Sequence, residues 1–131
     1  MILGPRHKDT GETMDSIIAH LPDELSHDAV GLFHFVPTGR VSFGLSGDDL
    51  TEFVRRGIDA LLSAGAVPVR HVRHSGYEWI EQNQYGKHKH EIVDAIVSEW
   101  LAMPDDPQVL CGDGVWFARP DPNFPKYVKL D

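Results

Sequence analysis

Apolar residues recur along this chain with two different periods, and the changes of period mark out most of its elements. Leu50, Phe53, Val54, Ile58, Leu61 and Leu62 repeat every three or four positions, the stripe that one face of an α-helix turns towards a core. Ser46 followed three residues later by Asp49 predicts a capped start to that helix. Asp48, Asp49 and Glu52 sit where a helix dipole favours acids, and Gly65 supplies the stop. A second stripe, Ile92, Val93, Ile96, Val97, Trp100 and Leu101, predicts a helix from about Lys87 to Met103, ended by Pro104. Ile17, Ile18, Leu21 and Leu25 predict a shorter helix capped by Thr13 or Asp15, with a break at Pro22.

Between these stripes the texture turns β-like. AVGLFHFV and VSFG flank the turn segment VPTGR and predict a hairpin, in which Leu32 and His34 share one face and Phe33 and Phe35 the other. AVPVRHV predicts a strand, with Pro68 placing it at a sheet edge or marking its start. QVLCGDGVWFAR predicts a closing hairpin around Gly112, Asp113 and Gly114, and the Pro-rich PDPNFPKYVKLD predicts an extended surface segment. Residues 1–13 show no periodicity and predict a flexible arm ahead of one domain spanning 14–131. The order is helix, two strands, helix, strand, helix, two strands. It predicts an α+β fold, an antiparallel or mixed sheet of four or five strands with two main helices packed on one face.

Composition narrows the function classes. A chain of 131 residues is long enough to bury roughly two thirds of its unfolded surface without staples. The single cysteine, Cys111, excludes an internal disulfide, and MILGPRHK offers no apolar run of a signal peptide, so the expected home is the reducing cytoplasm. No stretch approaches the roughly 18 apolar residues of a membrane helix. A net charge of −8 repels phosphate backbones, so neither a membrane nor a nucleic acid is the expected partner.

One segment departs from that acidic background. HVRHSGYEWIEQNQYGKHKHE, residues 71 to 91, holds four of the eight histidines within a stretch, residues 60 to 90, whose net charge is +2. Zinc needs three or four ligands converging on one point at ~2.0 to 2.3 Å, and motifs that achieve this place histidine pairs on one helical face. His88 and His90, two apart, diverge on a helix, and His71 and His74, three apart, leave opposite faces of a strand. Convergence would therefore need His88 and Glu91, neighbours at i and i+3, joined by His71 or His74. That set defines the alternative reading, a metal-binding protein or small hydrolase, with Cys111 beside it if the closing hairpin joins the same sheet edge. Cys111 itself has no helix N-terminus after it to lower its pKa, and a packed, inert thiol accounts for it. No G-x-S-x-G, G-x-G-x-x-G or G-x-x-x-x-G-K is present, and GLSGDD places acids where a phosphate would need bare N–H groups. No cofactor and no catalytic residue is expected.

Recognition of a protein remains. Tyr77, Trp79 and Tyr85 lie among Glu78, Glu81, Gln82, Asn83 and Gln84, the mixture of aromatic anchors and directional polar groups that interfaces use. The same residues are equally explained by a strand or turn whose Trp79 packs inwards while its glutamates face water. The acidic positions Asp48, Asp49, Glu52, Asp105 and Asp106 are the expected contacts for a basic partner, and a homodimer is the other form such contacts could take. The layout of LTEFVRRGIDALLSAGAVPV, YEWIEQNQY, EIVDAIVSEWL and GVWFA, within residues 45 to 118, resembles that of small bacterial domains similar to immunity proteins encoded beside interbacterial toxins. The resemblance implies a cytoplasmic, acidic, non-catalytic protein that plugs a toxin's active site, and it leaves the binding residues unspecified.

Overall fold

The computed structural model describes residues 8–26, 29–71, 79–102, 115–120 and 127–128. The fold is α+β. In chain order its elements are helix α1 (Met14–His20), a 3₁₀ segment (Leu21–Ser26), strand β1 (Val30–Gly31), helix α2 (Leu32–Pro37), a π-helical turn (Thr38–Ser42) and helix α3 (Gly47–Ser63). Strands β2 (Val67–His71) and β3 (Trp79–Glu81), helix α4 (Lys89–Leu101), and strands β4 (Trp116–Ala118) and β5 (Tyr127–Val128) follow. The strands form one sheet in the order β1-β4-β2-β3-β5, antiparallel except for the parallel pairing of β3 with β5. The Pro-rich tail thus contributes an edge strand at Tyr127–Val128.

Helices α1 and α4 start at side-chain caps, whereas α3 starts at a glycine turn. Thr13 Oγ1 accepts from the Ser16 N–H at 3.1 Å and caps α1, one of the two residues the sequence offered for that role. Pro22 falls where α1 gives way to the tighter 3₁₀ segment. Ser46 occupies the N-cap position of α3, but its hydroxyl makes no capping bond, contrary to the expected Ser46/Asp49 arrangement. The chain enters α3 through Gly47 at φ 55°, a left-handed turn that favours glycine. At the far end Gly65, at φ 95°, lets the Ala66 N–H reach back to the Leu61 carbonyl at 3.1 Å and end the helix as expected. Helix α4 begins two residues later than the sequence suggested, because Glu91 Oε1 accepts from the His88 N–H at 3.2 Å and closes a cap there.

The expected hairpin at residues 29 to 43 is not formed. Only Val30–Gly31 is strand, and the chain then turns into α2 and the π-helical turn. Leu32, Phe35, Val36 and Gly39 are all buried while His34 is exposed, a three-and-four spacing rather than an alternation. So short and continuous an apolar run fits either period, and contact with α3 decides for the helix. His34 Nδ1 accepts from the Gly31 N–H at 2.8 Å, so the third helical residue reaches back to the cap as a Glu or Gln would.

The main core joins Phe35 and Val36 of α2, Phe53, Val54, Ile58 and Leu61 of α3, and Val93, Ile96, Val97 and Trp100 of α4 to Val30, Val115 and Phe117 at the sheet. Val69, with Ala29 and Ala118, forms a second cluster flanked by Val67 and Trp116. Register explains the division: Phe117 pairs with Val30 on one side and Pro68 on the other, and neighbouring positions along each strand face the opposite way. β2 lies between β4 and β3, so the edge expected from Pro68 is not observed; the proline sits at the second residue of the strand, near its start, where its missing N–H is tolerated. Among the described residues no helix is long and apolar enough to cross a membrane.

Candidate protein-binding face

Helix α3 is flanked on one side by α1 and on the other by α4, and ion pairs stitch all three together. Arg56 Nη1 meets Asp15 Oδ1 of α1 at 3.0 Å. Arg55 Nη1 donates to Asp94 Oδ1 of α4 at 2.7 Å, and Lys89 Nζ meets Asp59 Oδ1 at 3.1 Å while donating to Ser63 Oγ at 3.0 Å. Because Lys89 lies opposite Asp59 and Asp94 opposite Arg55, α4 runs antiparallel to α3. All these side chains are between 39% and 78% exposed, and each pair contributes at most about 1 kcal/mol. Their consequence for charge is larger than for stability. The two arginines and the lysine of this face are matched, whereas Asp48, Asp49 and Glu52 at the start of α3 are exposed and have no ion-pair partner among the described residues.

A trough runs over α3 between its two neighbours. One part, about 540 Å³, has Ile18, Ala60 and Val93 as its apolar lining, with Glu52, Arg56 and His90 among the polar residues. A smaller part of about 190 Å³ continues it past Met14, Leu45 and Phe53 to Asp49, sharing Ile18, Glu52 and Arg56 with the first. Asp49 and Glu52, expected from the sequence as partner contacts, therefore border a concave surface, and Asp48 lies beside them.

The other expected positions fare differently. Tyr85 is only 7% exposed and is no surface anchor; its ring joins the core and its hydroxyl accepts from Arg70 Nη2 at 3.2 Å. Arg70 also donates to Glu99 Oε1 at 2.6 Å, tying β2 to α4. Burial, helped by Glu99, pushes the Tyr85 phenol up to about 12 against the opposing pull of Arg70. Burial would lower the Arg70 guanidinium, but the Tyr85 hydroxyl and the Glu99 carboxylate outweigh it and hold Arg70 above its usual value. The backbone of Trp79 lies in β3, opposite His71 of β2. Tyr77, His74, Asp105, Asp106 and Cys111 lie outside the described residues, as do the side chains of His71 and Trp79.

Of the histidine set, His88 and Glu91 come together as a helix cap. His88 Nε2 lies 4.0 Å from Glu91 Oε1, and both side chains are about half-exposed or more. His88 is exposed and lies off the apolar stripe of α4; its ring faces that of His90, centroids 6.1 Å apart and nearly parallel. The carboxylate of Asp94, one turn on from His90, is held by Arg55. Among the described residues no three His, Cys, Asp or Glu side chains gather as a metal would require.

Glu81 departs furthest from its expected place. Instead of facing water it is 8% exposed, and Oε2 has no hydrogen-bond partner among the described residues. The signal was available, because the two-residue period of a strand groups position 81 with Trp79, which one of the two readings packs inwards, rather than with the polar loop. Comparison of the chain with protein-family models, with curated proteins and with solved structures returns no match.

Proposed function

We propose that this protein is a non-catalytic binding protein whose acidic face docks a basic protein partner, acting as an immunity or inhibitor protein for a basic toxin. One observation carries the reading. On the face built by α1, α3 and α4 every arginine and lysine is matched by an acid, while Asp48, Asp49 and Glu52 stand exposed and without an ion-pair partner among the described residues beside a trough. Such a surplus, at one end of a concave surface, raises the encounter rate with a positively charged partner and disfavours acidic ones. The net charge of −8 adds long-range attraction in the same sense.

The experiment is a binding measurement on the product of the reading frame adjacent to this gene. Its association rate with the full chain is expected to fall severalfold between ~50 and ~300 mM salt, with the dissociation rate little changed. The variant Asp48→Asn, Asp49→Asn, Glu52→Gln should associate more slowly at low salt and show a shallower salt dependence, the remaining negative charge of the chain keeping part of the attraction. A rate indifferent to salt, or to the triple variant, would remove the proposal.

A further inference from the structure

We propose that the trough over α3, between α1 and α4, seats a basic amphipathic helix supplied by the protein partner. The inference rests on the function proposed above and names the shape of the partner at that same face. Its length sets the scale: the lining runs along α3 from Asp49 to Ala60, which at 1.5 Å per residue is about 16 Å, three turns of a helix.

The backbone decides between a helix and an extended peptide. The trough lies over helices, whose N–H and C=O groups are bonded along their own axes, so it offers no row of free backbone groups to which an extended segment could pair. An occupant must satisfy its own backbone, and a helix does so. The lining decides the pattern of side chains. Ile18, Ala60 and Val93 in the larger part, and Met14 and Phe53 in the smaller, ask for an apolar stripe. Charge decides the sign of the rest: Arg55, Arg56 and Lys89 are already held by Asp94, Asp15 and Asp59, which leaves Asp49 and Glu52, with Asp48 beside them, to meet lysines or arginines.

The test uses a fluorescein-labelled synthetic helix of roughly 18 residues, all Leu and Lys with the leucines on one face, titrated with the full chain. Two control peptides accompany it: the same composition rearranged to a two-residue period, and the same helix with Glu in place of Lys. The Leu/Lys helix is expected to bind and both controls to fail. Ala60→Trp, which fills the lining, should weaken binding by about tenfold or more. Glu52→Lys, an exposed change that leaves the core untouched, should weaken it severalfold and keeps the test open if the tryptophan variant does not fold. The inference is overturned if the Leu/Lys helix does not bind, if the rearranged peptide binds as well, or if neither variant changes the affinity. With the whole partner, salt-sensitive binding that Ala60→Trp leaves intact would remove the helix-in-trough and retain the acidic docking face.

Discussion

The ring of Phe35 lies directly on the backbone of α3 at Gly57, so close that a Cβ there would sit 2.8 Å from Phe35 Cε2 and 3.3 Å from Leu21 Cδ1. Phe35 is completely buried and cannot swing into solvent. Gly57→Ala would gain about 1 kcal/mol of helix propensity. Overpacking a filled core costs about 1–3 kcal/mol, which outweighs that gain. The variant is expected to unfold at lower urea with an unchanged slope. Stability equal to the parent's would mean that α2 slides freely over α3.

Tyr85 predicts the alkaline limit of the fold. Its folded pKa of about 12 stands above the ordinary value of 10, so the folded state holds this proton more tightly than the unfolded chain does. The sign follows from linkage: stability is unaffected by this group below about pH 10 and is lost as pH rises from there through about 12. An ultraviolet titration of the native protein should show a late phenolate that Tyr85→Phe removes. The same substitution should flatten the fall of the melting temperature across that window; an unchanged fall would place the responsible group elsewhere.

Glu81 predicts a stabilising substitution. The buried Glu81 oxygen has no hydrogen-bond partner among the described residues, and a buried carboxylate oxygen left so carries a desolvation cost of order 1–3 kcal/mol. Glu81→Met keeps the volume and discards the charge, and a gain of about 1 kcal/mol is expected in denaturant melts. A clear loss would show that the carboxylate is held by the fold after all.

The cap of α4 separates structure from chemistry at Glu91. Its carboxylate accepts from the His88 N–H, a role that glutamine fills equally well. Glu91→Gln should leave stability within about 0.5 kcal/mol, whereas Glu91→Ala should cost about 1 kcal/mol. Equal losses for the two would point to a need for the charge itself.

The two long helices were legible because their apolar stripes extend over three turns or more, long enough for the period to declare itself. Thr13 as a cap and Gly65 as a stop followed from single-residue chemistry that acts within one turn. Residues 29 to 43 defeat the same logic for the converse reason. Leu32, Phe33, Phe35 and Val36 form a run too short to distinguish two periods, and the competing strand pairing lost to the surface of α3. The acids of the candidate face were visible as residues but not as a site. Asp15, Asp59 and Asp94 look no different in sequence from Asp48, Asp49 and Glu52, and only their distant bases set them apart.

The order of residues by itself determined that this is an acidic α+β domain with two amphipathic helices, since periodicity, caps and net charge are local or additive properties of a chain. Tertiary structure alone decided which carboxylates are neutralised, that Tyr85 turns inwards, and that Arg70 reaches Glu99. Those outcomes depend on contacts between groups tens of residues apart, where burial and Coulomb attraction act through space and leave no spacing in the sequence to read.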